Sequence, residues 1–411
     1  MVTTKPSFGA PLRSNRQLVI LLVTQSIGMI ARNIYFVGLP LFVLERTGSA
    51  LSMSISLLLG FIPFTIAGPF AGSIVDRFSR RDLLFIGNAL YGAFLFVLPF
   101  THAAWLIYVI AFTASVSGVI IATATSALMP ELVDITQLAK ASSVYSFLRS
   151  VNFLVSALSA YFLIRALGKA DIFYLCAALL FVCGLGCLAL RRDRPERAAA
   201  ADADVEGRRS SGFMETLRII WSDRHMRGLT LMHIMFMPIF GAVEVFLPVF
   251  CEHRLGQADY YTLISASLGA GLALGSLVTY RLLGYIKPLR LVFLSFLGYA
   301  IGMLLLTGSA VLVLAMLVCL FLGFVDGYGF TTYEYLRQRV VPSAYRGRVF
   351  AVMDAMILFP APLGYLVVGY FAERTSIVTI GVWLSCIGLV LALLTFLLTR
   401  GLPELKEELG G

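Results

Sequence analysis

The chain has 411 residues, of which 59% are hydrophobic and 13% charged, and it carries a formal net charge of +9. Soluble domains run about 45–50% apolar and about 25% charged, so a water-soluble fold is excluded. Apolar stretches repeatedly reach the roughly 20 residues that a helix needs to cross hydrocarbon, which marks a polytopic membrane protein.

Residues 1–16 are polar, and the apolar run that starts at Gln17 is too long for the core of a cleavable signal. The first helix is therefore expected to direct insertion. Apolar windows and polar breaks predict twelve spans, near 17–45, 49–75, 83–101, 104–128, 141–166, 171–190, 228–251, 258–282, 289–307, 309–332, 349–371 and 376–399. Cys176, Cys183, Cys187, Cys251, Cys319 and Cys386 lie in or at the ends of these windows without metal-ligand spacing. Neither a disulfide framework, a metal site nor a cofactor is expected.

Most Lys and Arg fall on one side of this arrangement. Arg77, Arg80 and Arg81 crowd one short loop, the turn at Thr101 and His102 carries no Lys or Arg, and Arg46, Arg165, Lys169, Arg254 and Arg374 are left outside. The positive-inside rule then places both termini in the cytoplasm. The net positive charge follows from this asymmetry and implies no nucleic-acid partner.

Residues 191–227 interrupt the spans with clustered arginines, the acids Asp193, Glu196, Asp202, Asp204 and Glu206, and the run Ala198 to Ala201. This is a linker between domains at 1–190 and 228–411. Within it Phe213, Met214, Leu217, Ile220 and Trp221 recur at helical spacing beside Arg218 and Arg224, which predicts a short helix on the cytoplasmic membrane surface.

The two halves repeat one another. Leu39-Pro40-Leu41-Phe42 returns as Leu247-Pro248-Val249-Phe250, and Gly68, Gly72 and Ser73 return as Gly271, Gly275 and Ser276. An even number of spans per half makes the repeats parallel, so an all-α architecture of two pseudo-symmetric six-helix bundles is expected, with a cavity between them near mid-membrane. The Gly-x-x-x-Gly spacing lets helix backbones approach closely.

Between the second and third spans the chain reads Gly72-Ser73-Ile74-Val75-Asp76-Arg77-Phe78-Ser79-Arg80-Arg81. This loop resembles the signature loop of the major facilitator superfamily, and the resemblance extends over nearly the whole chain. It implies a conformational lock built on Gly72, Asp76, Arg77, Arg80 and Arg81, with the acid facing the amino end of the eleventh span near Arg348. Arg77 or Arg80 would pair with Glu131, Asp134 or Asp354. The second-half counterpart has Thr279 where the acid would stand. The loops that begin Met129-Pro130-Glu131-Leu132 and Val341-Pro342-Ser343-Ala344, with Pro362-Leu363-Gly364, resemble the branch that includes macrolide-efflux and enterobactin-exporter proteins. Two departures stand out: the fourth span lacks the basic residue of many drug–proton antiporters, and the fifth reads Ser150-Val151-Asn152 where they carry Gly-Pro.

A charge in hydrocarbon costs at least about 2.5–3.5 kcal/mol on insertion scales, so ionisable groups within spans are the candidate site residues. Arg32 shares a helical face with Gln25, Gly28 and Tyr35, and Asn33 lies beside it. Glu244 shares one with His233, Met237, Gly241 and Pro248. Asp326 is flanked by Gly327 and Gly329, with Tyr333 and Glu334 toward the cytoplasm. Ser142, Arg149, Asn152, Ser156 and Ser159 form a polar stripe on the fifth span, where Arg149 would hold an anionic group or meet Asp326. Glu334 reads either as a coupling acid or as an interfacial group among Arg337 and Arg339. His233 reads as a hydrogen-bonded packing residue, and the many Phe and Tyr as packing or lipid-facing residues rather than a substrate cage.

Together these residues predict a secondary transporter working by alternating access, monomeric, with protons coupled through Glu244 or Asp326. No nucleotide-binding loop appears, and the four histidines are too scattered for an enzyme site. The resemblance implies export across a bacterial cytoplasmic membrane of an amphipathic metabolite, either a siderophore or other metallophore, or a macrolide-like drug. A lysolipid or lipid flippase, a nutrient importer and a non-transporting membrane sensor are the alternatives.

Overall fold

The computed structural model describes residues 15–66, 75, 77–133, 135–192, 206–341 and 346–400. Helices account for nearly all of them. In chain order they are α1 (Arg16–Thr47), α2 (Ala50–Ile66), α3 (Arg80–Val97), α4 (Ala104–Leu132), α5 (Ile135–Leu167), α6 (Ile172–Cys187), α7 (Glu206–Ser222) and α8 (Arg224–Leu255). They continue as α9 (Tyr260–Leu283), α10 (Pro288–Gly308), α11 (Leu312–Val340), α12 (Arg346–Leu358), α13 (Ala361–Ala372) and α14 (Ile377–Arg400). Ten stretches are long and apolar enough to cross a membrane, and Ala50–Thr65 and Ile172–Cys187 are shorter apolar helices. That accords with the spans expected from hydropathy.

Local rules place the ends. Asn15 caps α1 by accepting the Leu18 N–H at 3.2 Å, and Gly48, at φ 61°, closes it in the left-handed conformation that a side chain resists. Asp223 likewise caps α8 by accepting the Met226 N–H, and Gly256 at φ 78° ends it. A helix does form in the linker, α7, with Ile220 buried and Met214 and Trp221 exposed.

The eleventh span differs from its hydropathy. It is two helices, α12 and α13, parted at Phe359 and Pro360. Pro360 and Pro362 both lack an N–H, which withdraws two donors from the helical ladder within three residues.

Contacts divide the chain into two compact units, one of residues 1–48 and 59–201, the other of 49–58 and 202–411. In the first, α3 packs on α4 and α6, and α1 on α5 and α6. In the second, α10 packs on α11 and α14, and α8 on α13 and α14, so each relation has its repeat counterpart. The second unit also contains a glycine seam between α9 and α11. A Cβ on Gly271 or Gly275 would lie 2.0 Å from the carbonyl oxygen of Leu320 or Phe324, and one on Gly323 would lie 1.9 Å from that of Leu268. Only glycine permits this approach, and the seam seats the helix that carries Asp326.

The first half of α2 belongs to the second unit. Its capping residue Ser49 accepts the Ser52 N–H at 3.0 Å, and its hydroxyl donates to Glu373, which also accepts the Leu51 N–H at 3.1 Å. One turn before Glu373, a Cβ on Gly369 would come within 1.9 Å of Ser54 Oγ. These hydrogen bonds hold the exposed Glu373 carboxyl below the usual glutamate range.

Candidate functional site

The second unit contains a narrow cavity between α8, α10 and α11. Asp326 of α11 and His233 of α8 give it a polar wall with Ser295 and Tyr299 of α10, and Phe236, Met237, Phe240, Phe296 and Phe330 line the remainder. The rings brace one another: Phe236 stacks on Phe296 at 4.2 Å and meets Tyr299 edge-on at 5.3 Å. The expectation that the aromatics only pack or face lipid therefore gives way here to an aromatic enclosure around a carboxylate.

Asp326 has no basic partner among the described residues, and neither has Glu244. Glu244 accepts a hydrogen bond of 3.4 Å from the hydroxyl of the buried Tyr261. Tyr299 lies within electrostatic reach of both acids. The sequence pattern pointed to each acid separately and not to the tyrosine between their fields.

In the first unit Arg32 is held by Asn88, whose Oδ1 accepts from its Nη1 at 3.2 Å while Asn88 Nδ2 donates to the Leu84 carbonyl at 2.7 Å. The guanidinium lies over Gly28, where a Cβ would be 2.9 Å from Arg32 Nη1 and equally close to Cys183 Sγ. Tyr35 and Gln25, from the same face, are buried, and the Tyr35 hydroxyl and Gln25 Oε1 have no hydrogen-bond partner among the described residues. Asn33 is half-buried. Asn152 turns toward α1, 3.9 Å from Met29 Sδ, and Ser156 donates to the Ile30 carbonyl at 3.4 Å, whereas Arg149 is exposed. The polar stripe of α5 is thus used in part to seat α1. The Ser142 side chain lies outside the described residues.

Two ion-pair groups form, one in each unit. Arg80 pairs with Glu131, one of the partners that the family resemblance implied. Arg81 and Arg192 both meet Asp82, at 3.0 and 2.9 Å, which ties the start of the linker to the first turn of α3. Arg77 is exposed, and Gly72, Asp76 and Asp134 lie outside the described residues. In the second unit Arg337 grips Glu334 with two contacts of 2.9 Å, reaches Asp354, and spreads over Phe350 at 4.3 Å. Glu334 is thus ion-paired with one of the arginines beside it, and Asp354 is drawn to the same guanidinium. Tyr333 is buried between Arg337 and His233, whose ring centroid is 3.8 Å away.

Comparison with known proteins accords with this arrangement. The Major Facilitator Superfamily profile matches residues 21–365. "Multidrug efflux pump Tap" of Mycolicibacterium fortuitum is 27% identical over 407 residues, covering 95% of this chain and 96% of its own length. "Macrolide efflux protein A" of Streptococcus pyogenes is 23% identical over 392 residues, covering 89% and 93%. Among solved structures, the nucleoside transporter NupG superposes with a TM-score of 0.78 at 12% identity over 94% of this chain and 99% of that one. A D-xylose-proton symporter gives 0.71 at 16%, over 95% and 98%. At these identities the solved structures establish the fold alone.

Proposed function

The chain belongs to the Major Facilitator Superfamily, and from that membership we propose that it is a proton-coupled exporter of cationic, amphipathic drug-like molecules. One observation carries the reading: a carboxylate without a basic partner, Asp326, stands in an aromatic cavity at membrane depth. Such a carboxylate binds either a proton or a cationic cargo, and competition between the two couples inward proton movement to outward cargo movement. Glu244, hydrogen-bonded to Tyr261, is the second carboxylate available for proton exchange in the same unit. Relatives that bear efflux names support the direction of transport and the drug-like cargo.

The Arg32, Asn88 and Tyr35 cluster supports a second reading, in which the cargo carries an anionic group, as a metallophore would. The loop from Gly72 to Arg81 acts as the conformational lock in either case. The protein works as a monomer in a bacterial cytoplasmic membrane with both termini inside.

Proteoliposomes under an imposed pH gradient test the coupling. Asp326→Asn is expected to lower gradient-driven flux of a cationic dye on the order of a hundredfold. Unchanged flux in that variant removes Asp326 from the mechanism, and flux in the parent protein without any accompanying proton movement removes coupling altogether.

A further inference from the structure

The hydrogen-bond polarity of the Asp326 cavity points to a narrower ligand class than a cation alone. His233 Nδ1 lies 3.0 Å from the carbonyl oxygen of Leu229. A carbonyl only accepts, so Nδ1 carries the proton and donates. The ring is pressed against Tyr333 at 3.8 Å and meets Phe296 edge-on at 5.6 Å. In the neutral ring Nε2 is then a bare lone pair. Nε2 has no hydrogen-bond partner among the described residues, and His233 lines the cavity.

Ser295 spends its proton on the Val292 carbonyl at 2.7 Å and presents lone pairs, and Asp326 is an acceptor. The Tyr299 hydroxyl on the same wall can donate as well as accept, and no Lys or Arg lines the cavity. Acceptors outnumber donors here, so the wall favours a ligand that brings its own donors, and a quaternary cation with none leaves Nε2 unsatisfied.

Resting on the reading of this cavity as the cargo site, we propose that His233 is a specificity-determining acceptor that works beside Asp326. The pair selects an apolar molecule whose protonated amine has a hydroxyl or second N–H a few bonds away. Asp326 takes the ammonium, Nε2 takes the neighbouring donor, and the aromatic wall takes the apolar body.

The test uses the full-length purified protein and two probes, propranolol, an amine with a neighbouring hydroxyl, and tetraphenylphosphonium, a cation without a donor. Titration calorimetry is expected to show that His233→Ala weakens propranolol about tenfold and leaves tetraphenylphosphonium unchanged. His233→Gln, which returns an acceptor oxygen, is expected to restore most of the loss. Retained tetraphenylphosphonium binding reports that the variant is folded. Equal change in both probes, no change in either, or failure of Gln to outperform Ala overturns the assignment of His233. If Asp326→Asn weakens neither probe, or the parent protein binds neither, the cargo-site reading falls as well; if Asp326→Asn weakens both while His233→Ala affects neither, only the role of His233 falls.

Discussion

The first span of each half carries matched residues at one offset: Gln25 and His233, Met29 and Met237, Arg32 and Phe240. Asn88 on α3 and Phe296 on α10 share that offset. In the first unit these positions hold a guanidinium pinned by an amide over a glycine. In the second they hold stacked rings, and the charge arrives from α11 as a carboxylate facing a cavity. Duplication has kept the helix contacts and reversed the sign of the intramembrane charge. Packing therefore constrains which helices meet, whereas the chemistry placed between them is free to diverge.

Several substitutions break or sharpen that contrast. The largest effect is expected at the seat of the acid-bearing helix: Gly323→Val drives a side chain into the Leu268 carbonyl and costs about 3 kcal/mol or more, read as a lower melting temperature and poor recovery of folded protein. Phe240→Arg gives the second unit the cation of the first. With a guanidinium beside Asp326, gradient-driven flux is expected to fall on the order of a hundredfold, as for the asparagine variant, while the protein stays monodisperse.

Arg32→Met is the reciprocal erasure. Exchanging an intramembrane cation that has one neutral acceptor for an apolar side chain is expected to raise stability by about 1 kcal/mol. Flux is expected to fall about tenfold at the same time, because that cation is kept for use rather than for packing. A variant both less stable and fully active contradicts the functional reading of the cluster.

The smallest effect is expected at the start of α2. Ser49 and Leu51 donate to Glu373, and the adjacent Arg374 is the charged group that acts on it. Because the folded carboxyl is held below the ordinary value of 4.5, its contribution is complete above that value and is lost as the pH falls through the depressed one. Glu373→Gln is expected to lower thermal stability slightly at pH 7 and to match the parent protein near pH 3.

Much of this was legible from the residues alone. Hydropathy located the spans because a bilayer demands long apolar helices, and the spacing of Met214, Leu217, Ile220 and Trp221 announced α7. The choice of Arg32, Glu244 and Asp326 came from the cost of charge in hydrocarbon. What surrounds those charges was not legible. Asn88 is an isolated amide in the apolar stretch of α3 that follows Asp82 and gives no periodic signal, and Phe236, Phe296 and Tyr299 become one wall only after α8 and α10 pack. Arg337 collects Glu334 from its own helix, which the three-residue spacing announces, and Asp354 from the next, which no spacing reveals. Hydropathy also reads through Pro360, since proline interrupts a hydrogen-bond ladder without interrupting an apolar window.

That interruption has a chemical consequence. In an unbroken helix the carbonyls of Met356 and Leu358 would accept from residues 360 and 362, and both of those are prolines. Two peptide oxygens well inside a span are thereby left in need of solvation, which hydrocarbon cannot provide. A tightened turn, a neighbouring side chain or water must satisfy them, and the amide carbonyl stretches of those two residues, labelled singly with carbon-13, should distinguish a hydrated oxygen from one bonded within the protein.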